Sequence, residues 1–231
     1  MKKCAIIQPS FIPWKGFFDI IQSVDIFVHY DDVQYTSSDW RNKNFIYGKN
    51  GLVRLTIPIK KTSRETLIKD VLIDNNQDWK KDHLKSIQRV YSKAAFYQEY
   101  LWIIEEIYSF ETVFLSDFVI NATELISRSL GIKTTFVKSS DLGLFGAKDD
   151  KLIRICRKLG AKSYLSGPSA KDYIELSKWN ESDIEISFKN YRYLEYNQLS
   201  NQFNHYVSII DVMFNNGLNT INLIKEQYQD D

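Results

Sequence analysis

Acidic, imidazole and amide side chains are grouped directly after the second apolar run of the chain. His29, Asp32 and Gln34 lie close together there, and Asn42 lies in the loop beyond them. A histidine next to a carboxylate can serve as a general base, and amide groups can donate hydrogen bonds to an oxyanion. These four residues are therefore the candidate catalytic residues. A buried structural histidine among surface carboxylates is the alternative.

A second group of unusual residues lies near the amino terminus. The chain has nine glycines and four prolines, and two of these prolines and one glycine fall within residues 8–17. Proline fixes φ and lowers the entropic cost of holding a loop in one shape, which suits a preorganised binding site. The candidate substrate-binding residues here are Gln8, Pro9, Phe11 and Trp14. The alternative is a loop that only shapes a strand-to-helix turn.

Aromatic and cationic residues are interleaved in the segment that follows the acidic group. Trp40, Arg41 and Lys43 lie beside one another there, and Tyr35 precedes them. Arginine offers a planar fork and lysine a point charge to a phosphate, while aromatic rings can contact a sugar or a base. All four are candidate substrate-binding residues. A solvated basic hairpin is the alternative.

A tight turn supplies the remaining candidates. A short apolar run ends at Ser166, and Gly167, Pro168 and Ser169 follow it. Proline at a first helical position predicts a helix here whose free N–H groups could bind an anion. Ser166, Gly167 and Ser169 are therefore candidate binding residues, although neither GxxxxGK[ST] nor GxSxG occurs in the chain. A plain structural turn is the alternative.

The elements around these groups are typical of an α/β protein. Residues 3–7 and 25–29 are short apolar runs that predict buried strands, with an amphipathic helix between them. Residues 45–47 and 52–55 flank a Gly-Lys-Asn-Gly turn, which indicates a hairpin. Apolar stripes at helical spacing occupy most of residues 78–130.

We therefore expect an α/β fold with a Rossmann-like, open and mostly parallel sheet. It forms a single domain over residues 1–231, with a hairpin and loop insertion at 31–64 and a helical segment at 76–131. Ligands of such sheets bind in the crevice beyond the carboxyl ends of the strands. The loop at residues 8–13 follows the first strand, so it is expected to lie at the site.

Composition excludes several classes of protein. The chain has 231 residues, 44% apolar and 26% charged, which excludes collagen-like and disordered classes. Its net charge of +1 gives no global attraction to nucleic acid or an anionic membrane. The two cysteines lie in apolar stretches and the three histidines are scattered, so we expect neither a disulfide framework nor a metal site. The short apolar run before Gln8 is too short for a signal peptide, and we expect a cytoplasmic protein.

Four segments carry a family resemblance over nearly the whole chain: QPSFIPWKGFFDIIQSVDIFVHYDDVQYTSSDWRNKN, YLSGPSAKDYI, NYRYLEYNQ and FNHYVSIIDVMFNNG. In this order they resemble the WbqC-like protein family. The family pattern falls on Gln8, Pro9, Phe11, Pro13, Trp14, Gly16, Asp25, Asp32, Gln34, Tyr35, Trp40, Asn42, Ser166, Gly167, Pro168, Tyr191, Tyr196, Gln198, Ser208 and Asp211. The chain departs from it at Ile7, where many relatives have histidine, and at Lys43, where arginine is usual.

The resemblance implies a bacterial protein of surface-polysaccharide assembly whose partner is a nucleotide-linked sugar. We expect a transferase that attaches an acyl or aminoacyl group to the amine of a nucleotide-linked amino sugar in O-antigen or capsule biosynthesis. No cofactor is assigned with certainty; an acyl thioester is one candidate donor, and an NTP with Mg²⁺ belongs to the alternative below. No metal, nucleic acid or membrane is expected, and a homodimer is left open.

Two other functions remain as alternatives. A looser likeness to the nucleotidylyltransferase and pantoate ligase superfamily, without its HxGH signature, suggests a ligase that consumes an NTP with Mg²⁺. Fold-level analogy cannot decide this. The second alternative is a non-catalytic sugar-nucleotide binding protein.

Overall fold

A five-stranded parallel sheet forms the centre of the molecule. The computed structural model describes residues 1–37 and 39–225. The sheet consists of β1 (Lys3–Ile7), β2 (Ile26–His29), β5 (Thr135–Lys138), β6 (Ser163–Ser166) and β7 (Glu185–Phe188), in the spatial order β5-β2-β1-β6-β7. This arrangement, with a separate hairpin and covering helices, confirms the predicted Rossmann-like α/β fold.

The chain reverses direction across the sheet next to β1. It adds β2 and then β5 on one side of β1, and returns to add β6 and β7 on the other side. The connections that leave β1 and β6 therefore diverge, and a crevice opens between the carboxyl ends of these two strands. Ligands of open α/β sheets bind at such a reversal.

Helices cover both faces of the sheet, because alternate strand residues point to opposite sides. Ala5 and Phe27 belong to one core, whereas Cys4 and Ile26 belong to the other. The second core also brings the free thiols of Cys4 and Cys156 within 3.4 Å of each other. The helices are α1 (Lys15–Gln22), α2 (Trp79–Tyr91), α3 (Tyr97–Ser109), α4 (Leu115–Ser129), α5 (Lys148–Lys158), α6 (Leu176–Asn180), α7 (Ile209–Asn216) and α8 (Thr220–Leu223).

The hairpin between β2 and β5 confirms the predicted turn. It consists of β3 (Lys43–Gly48) and β4 (Gly51–Thr56), with Gly48 paired to Gly51 across the turn. Gly51 has a φ of +98°, a conformation that glycine adopts without strain. The apolar alternation continues to Ile59, but β4 ends at Thr56 because Pro58 cannot donate to a ladder.

The segment after β6 differs from its prediction. The expected helix at Pro168 is a five-residue 3₁₀ turn, Pro168–Asp172, and α6 begins only at Leu176. The chain bends away because the backbone N–H of Glu175 donates to Asp149 Oδ2 at 2.8 Å. This short turn does not provide the helix N-terminus that the anion-binding prediction required.

No helix within the described residues is long and apolar enough to cross a membrane.

Candidate functional site

Two adjoining cavities open at the carboxyl edge of the sheet. The larger one, called the crevice, has a volume of about 600 Å³ and is lined by Ile6, Ile7, Gln8, Tyr30, Val33, Arg41, Lys148, Asp149, Leu152, Tyr164, Tyr173 and Ile174. The smaller one, called the aromatic cavity, has a volume of about 280 Å³ and is lined by Ile7, Ser10, Pro13, Trp14, Phe17, Asp39, Trp40, Arg41, Asn44, Tyr191 and Tyr206. Ile7 and Arg41 line both, so the two cavities share a wall.

The loop between β1 and α1 has a strained backbone. Ile12 is β-branched and has a φ of +37°, which L-residues rarely adopt. Its carbonyl oxygen accepts hydrogen bonds from Asn44 Nδ2 at 2.8 Å and from Ser208 Oγ at 2.8 Å. The Asn44 amide also donates to the carbonyl of Phe11 at 2.9 Å. Strain that neighbouring contacts maintain is concentrated at functional sites, so this outlier supports the loop as part of one.

Arg41 fixes the wall between the two cavities. Its Nη1 donates to the carbonyls of Gln8 and Pro9, each at 3.2 Å, and to Ser10 Oγ at 2.8 Å. Its Nη2 pairs with Asp39 Oδ2 at 2.7 Å. Because these partners occupy both terminal nitrogens, the guanidinium holds the loop in place and is not available for a bidentate contact with phosphate.

A nearly buried ion pair lies beside the crevice. Lys151 Nζ lies 2.8 Å from Asp32 Oδ2, and Ser139 Oγ donates a short hydrogen bond to Asp32 Oδ1. The same ammonium lies 5.1 Å from the ring centre of Tyr30, which lines the crevice. Burial, together with the charge of Asp32, raises the pKa of Tyr30 to about 12. The phenol therefore stays protonated at neutral pH and can donate a hydrogen bond.

Two tyrosines of the irregular segment 189–206 enclose Trp14 in the aromatic cavity. The rings of Trp14 and Tyr191 are nearly perpendicular, with 4.9 Å between their centres, and the Tyr206 ring is tilted by 32° to that of Trp14 at 6.1 Å. A Cβ at Gly167 would lie 3.1 Å from the hydroxyl oxygen of Tyr191, so glycine permits this close approach. The loop after β1 and the turn after β6 thus meet through Tyr191.

The buried side chain of Lys15 also holds the irregular segment 189–206 in place. Its side chain is only 1% exposed, and Nζ donates to the carbonyl of Leu194 at 3.1 Å. The ammonium also lies 5.1 Å from the ring centre of Tyr193 and 4.9 Å from that of Tyr196. Burial lowers the pKa of Lys15 to about 8, although the charge of Asp211 opposes this shift.

Asp211 is a second buried anchor. Its carboxylate accepts hydrogen bonds at 2.8 Å from the hydroxyls of Tyr91 and Tyr196 and from Gln198 Nε2. Burial raises the pKa of Asp211, and the three donors oppose the rise by stabilising the charged form. The carboxylate thus holds α7, α2 and the irregular segment together.

The structure does not bring His29 and Asp32 together. His29 is 1% exposed and lies on the sheet face covered by α4, where it stacks on Phe136 at 5.5 Å. Its Nε2 lies 3.6 Å from Glu124 Oε1. Asp32 instead faces Lys151 of α5. His29 lines neither cavity, so its role as a base stays a prediction that its position does not support.

The two candidate amide donors are engaged in structural hydrogen bonds. Gln34 Nε2 donates to the carbonyl of Arg64 at 2.7 Å, and Asn42 Nδ2 donates to the carbonyl of Ile57 at 2.9 Å. Neither residue lines the crevice or the aromatic cavity. Their catalytic roles also stay predictions.

The predicted binding residues divide into two sets. Those that line one of the two cavities are Gln8, Trp14, Trp40 and Arg41. Those that line neither are Pro9, Phe11, Tyr35, Lys43, Ser166, Gly167 and Ser169. Phe11 is fully buried and stacks on His83 at 5.7 Å, and Tyr35 is also buried. Lys43 Nζ lies 3.4 Å from the carbonyl of Ser37, and Ser169 is exposed.

Several residues of the crevice were missed from the sequence. They are Tyr30, Lys148, Asp149 and Tyr173. No motif marks them, since they come from separate segments. The carboxyl-edge rule is the one available signal, because Tyr30 directly follows β2 and Lys148 begins α5 after β5. Within residues 1–37 and 39–225, no three His, Cys, Asp or Glu side chains are grouped so as to hold a metal ion.

Comparison with known proteins identifies the family. The model of the WbqC-like protein family matches residues 8–223, a range that begins at the loop of the shared wall. The chain belongs to the WbqC-like protein family. It is also similar to a Mycobacterium tuberculosis protein named Uncharacterized protein Rv1507c, with 39% identity over 223 residues, 94% of this chain and 95% of that protein. No solved structure matches the chain. Membership of the WbqC-like family is consistent with a role in polysaccharide biosynthesis.

Proposed function

We propose that this WbqC-like protein is a transferase that attaches an acyl or aminoacyl group to the amine of a nucleotide-linked amino sugar during O-antigen or capsule assembly. The observation that carries the proposal is the pair of cavities that share the wall of Ile7 and Arg41. A nucleotide-linked sugar has a nucleotide part and a sugar part, and the enzyme must hold both in a fixed orientation, because orientation of the reacting amine supplies a large part of the rate. Two adjoining cavities satisfy this requirement.

The crevice is the proposed site of the nucleotide. Its volume of about 600 Å³ lies within the usual range of ligand pockets, and it lies where open α/β sheets bind nucleotides. Lys148 supplies a cation for the phosphates. Tyr173, 70% exposed at the margin of the crevice, supplies a ring on which a base can stack.

The aromatic cavity is the proposed site of the sugar. Its walls include Trp14, Trp40 and Tyr206, and flat aromatic rings suit the apolar faces of a sugar. With the nucleotide in the crevice, the sugar amine would lie near the shared wall, within reach of an acyl donor. The rigid loop at Ile12 keeps this wall in place.

In the proposed reaction, the sugar amine attacks the carbonyl carbon of an acyl thioester. A C–N bond forms and the C–S bond breaks. The amine proton passes to Asp32, which lies beside the crevice, and from Asp32 to the leaving thiolate, so that the thiol departs and the carboxylate is restored. The phenol of Tyr30 donates a hydrogen bond to the oxyanion that develops on the carbonyl oxygen. The position of Tyr30 in the crevice supports this role.

The first experiment measures binding and turnover. UDP-, GDP- and dTDP-linked amino sugars are tested by thermal shift, and then by mass spectrometry with acetyl-CoA as donor, with and without ATP and Mg²⁺. We expect one nucleotide sugar to raise the Tm, and an acylated product that needs no ATP. A product that appears only with ATP and Mg²⁺ would support the ligase. Binding without any product would support the non-catalytic protein.

Variants then test the site assignment. Tyr173→Ala should weaken nucleotide-sugar binding by about fivefold or more, because stacking of a base contributes ~1 to 3 kcal/mol. Trp102→Ala is the matched control, since Trp102 is 52% exposed on α3 and lines neither cavity. Tyr30→Phe should lower kcat with little change in KM. Equal losses in the Tyr173 and Trp102 variants would refute the assignment of the crevice.

A further inference from the structure

A second concave region lies away from the sheet edge, around the turn of the β3–β4 hairpin. One cavity of about 650 Å³ lies between this turn and the end of α2, and another of about 540 Å³ lies beside residues 200–202. Lys49, Asn50 and Gly51 line both cavities, which together are called the turn groove. The turn groove shares no lining residue with the crevice or the aromatic cavity.

The turn groove is strongly cationic. Lys49, Arg89 and Lys93 line it, all three are exposed, and no acidic residue is among its lining residues. Within the described part of the chain, none of the three has a carboxylate within 4.0 Å. Three cations without an ion pair among the described residues are thus concentrated in one concavity of a chain whose net charge is +1.

Stabilisation of α2 does not account for this charge. Arg89 lies in the last turn of α2 and Lys93 lies two residues beyond its end, where cations interact favourably with the helix dipole. That dipole end carries only ~0.5 of an elementary negative charge. Lys49 comes from the hairpin, so it is not part of such a cap. The groove therefore keeps a large positive excess.

The walls of the groove are held in place by close packing. A Cβ at Gly48 would lie 3.1 Å from Val90 Cγ1, so glycine lets β3 approach the end of α2. The side chain of Val90 and the turn residues then form a fixed border. A preorganised site loses less entropy when a ligand binds.

We propose that the turn groove binds a soluble anion that carries phosphate groups. Arg89 offers a planar fork, Lys49 and Lys93 offer point charges, and the amide of Asn50 offers a neutral donor. The concave shape favours a small ligand over a flat bilayer. This site is separate from the crevice, so the protein has a place for a second phosphorylated molecule.

The test uses inorganic pyrophosphate as the probe, measured by isothermal titration calorimetry on the full chain. The groove variant is Lys49→Gln with Arg89→Gln and Lys93→Gln. The matched control removes three exposed lysines elsewhere, Lys61→Gln with Lys81→Gln and Lys158→Gln. A third variant, Lys148→Gln, tests whether the probe binds in the crevice instead.

We expect the groove variant to lose about tenfold or more in affinity for pyrophosphate, because each interaction of a cation with phosphate is charge-assisted. The control triple variant should stay within about twofold of the wild type. Lys148→Gln should keep the component of pyrophosphate binding that the groove variant loses. Circular dichroism establishes that each variant is folded. A loss that is equal in both triple variants, or confined to Lys148→Gln, would overturn the proposal. Binding to vesicles of phosphatidylglycerol but not to pyrophosphate would overturn it in favour of a membrane surface.

Discussion

Replacing Lys15 by methionine removes a buried ammonium and keeps an unbranched apolar chain in its place. Folding lowers the pKa of Lys15 from 10.5 to about 8, because burial disfavours the charged form. Between these two pH values the unfolded chain binds a proton that the folded chain has released. The free energy of unfolding therefore rises with pH from 8 to 10.5, and the destabilisation is present in full below pH 8.

The size of this effect follows from the two pKa values. A shift of one pKa unit corresponds to ~1.4 kcal/mol, so the whole window corresponds to ~3 kcal/mol. Between pH 7 and pH 9 the wild type should gain about 1 kcal/mol in stability through Lys15. Lys15→Met has no group that titrates at this position, so it should lack this gain.

Urea unfolding at pH 7 and pH 9 measures the difference between the two proteins. Lys81→Met serves as a control, because Lys81 is exposed and the variant loses the same single charge. The free energy of unfolding of the Lys81→Met control should rise with pH by the same amount as that of the wild type. If the free energy of unfolding of Lys15→Met also rises by that amount, the reasoning fails. The aromatic rings around Lys15 would then hold the ammonium charged through cation–π attraction strongly enough to offset burial.

Three further outcomes are expected. Burial lowers the pKa of His83 from 6.5 to about 4, so stability should fall by ~2 kcal/mol as the pH drops from 7 to 4.5 in urea titrations, a loss that His83→Gln should remove. Asn44→Ala leaves the carbonyl of Phe11 without its donor and the carbonyl of Ile12 with Ser208 Oγ alone, so it should lower the free energy of unfolding by ~1 to 3 kcal/mol; an unchanged urea midpoint would contradict this. Gly217→Ala should lower the free energy of unfolding by more than ~2 kcal/mol in thermal unfolding, because its φ is +54° and a Cβ would overlap the ring of Phe96. Gly131→Ala, with a φ of +75° and open space around the Cβ, should lower it by ~1 kcal/mol. Equal losses in the two variants would refute the overlap argument.

The inner strands β1 and β2 could be predicted from the sequence because they are buried on both faces. Residues 3–7 and 25–29 read as continuous apolar runs, and the structure has strands at Lys3–Ile7 and Ile26–His29. The hairpin was equally visible, since Gly51 occupies a turn position that needs positive φ. These features are encoded by neighbouring residues, so local patterns are sufficient to find them.

The 3₁₀ turn after β6 could not be predicted from the local sequence pattern. Proline at a helix start predicted an α-helix at Pro168, but the chain forms a short 3₁₀ turn. The decisive contact is the hydrogen bond from Glu175 N to Asp149, a residue of α5. Tertiary contacts of this kind override the local preference.

The site was predicted in part, for a related reason. Gln8, Trp14, Trp40 and Arg41 line the cavities because the first loop and the hairpin insertion lie at the carboxyl edge of β1. Lys15 was not found, since a lysine in the first turn of an amphipathic helix is normally solvated. Its burial depends on rings that come from residues 193–203, far along the chain.

Residues 189–206 pack over the first loop although they lie late in the chain, and this order matters for folding during synthesis. All five strands have been synthesised once β7 is complete, whereas Tyr191, Tyr206 and Asp211 follow later on the ribosome. The nascent chain can therefore build its sheet first and close the aromatic cavity last. A polypeptide that terminates early, after β7, would contain all five strands but would lack the enclosure around Trp14 and the buried core residues of α7.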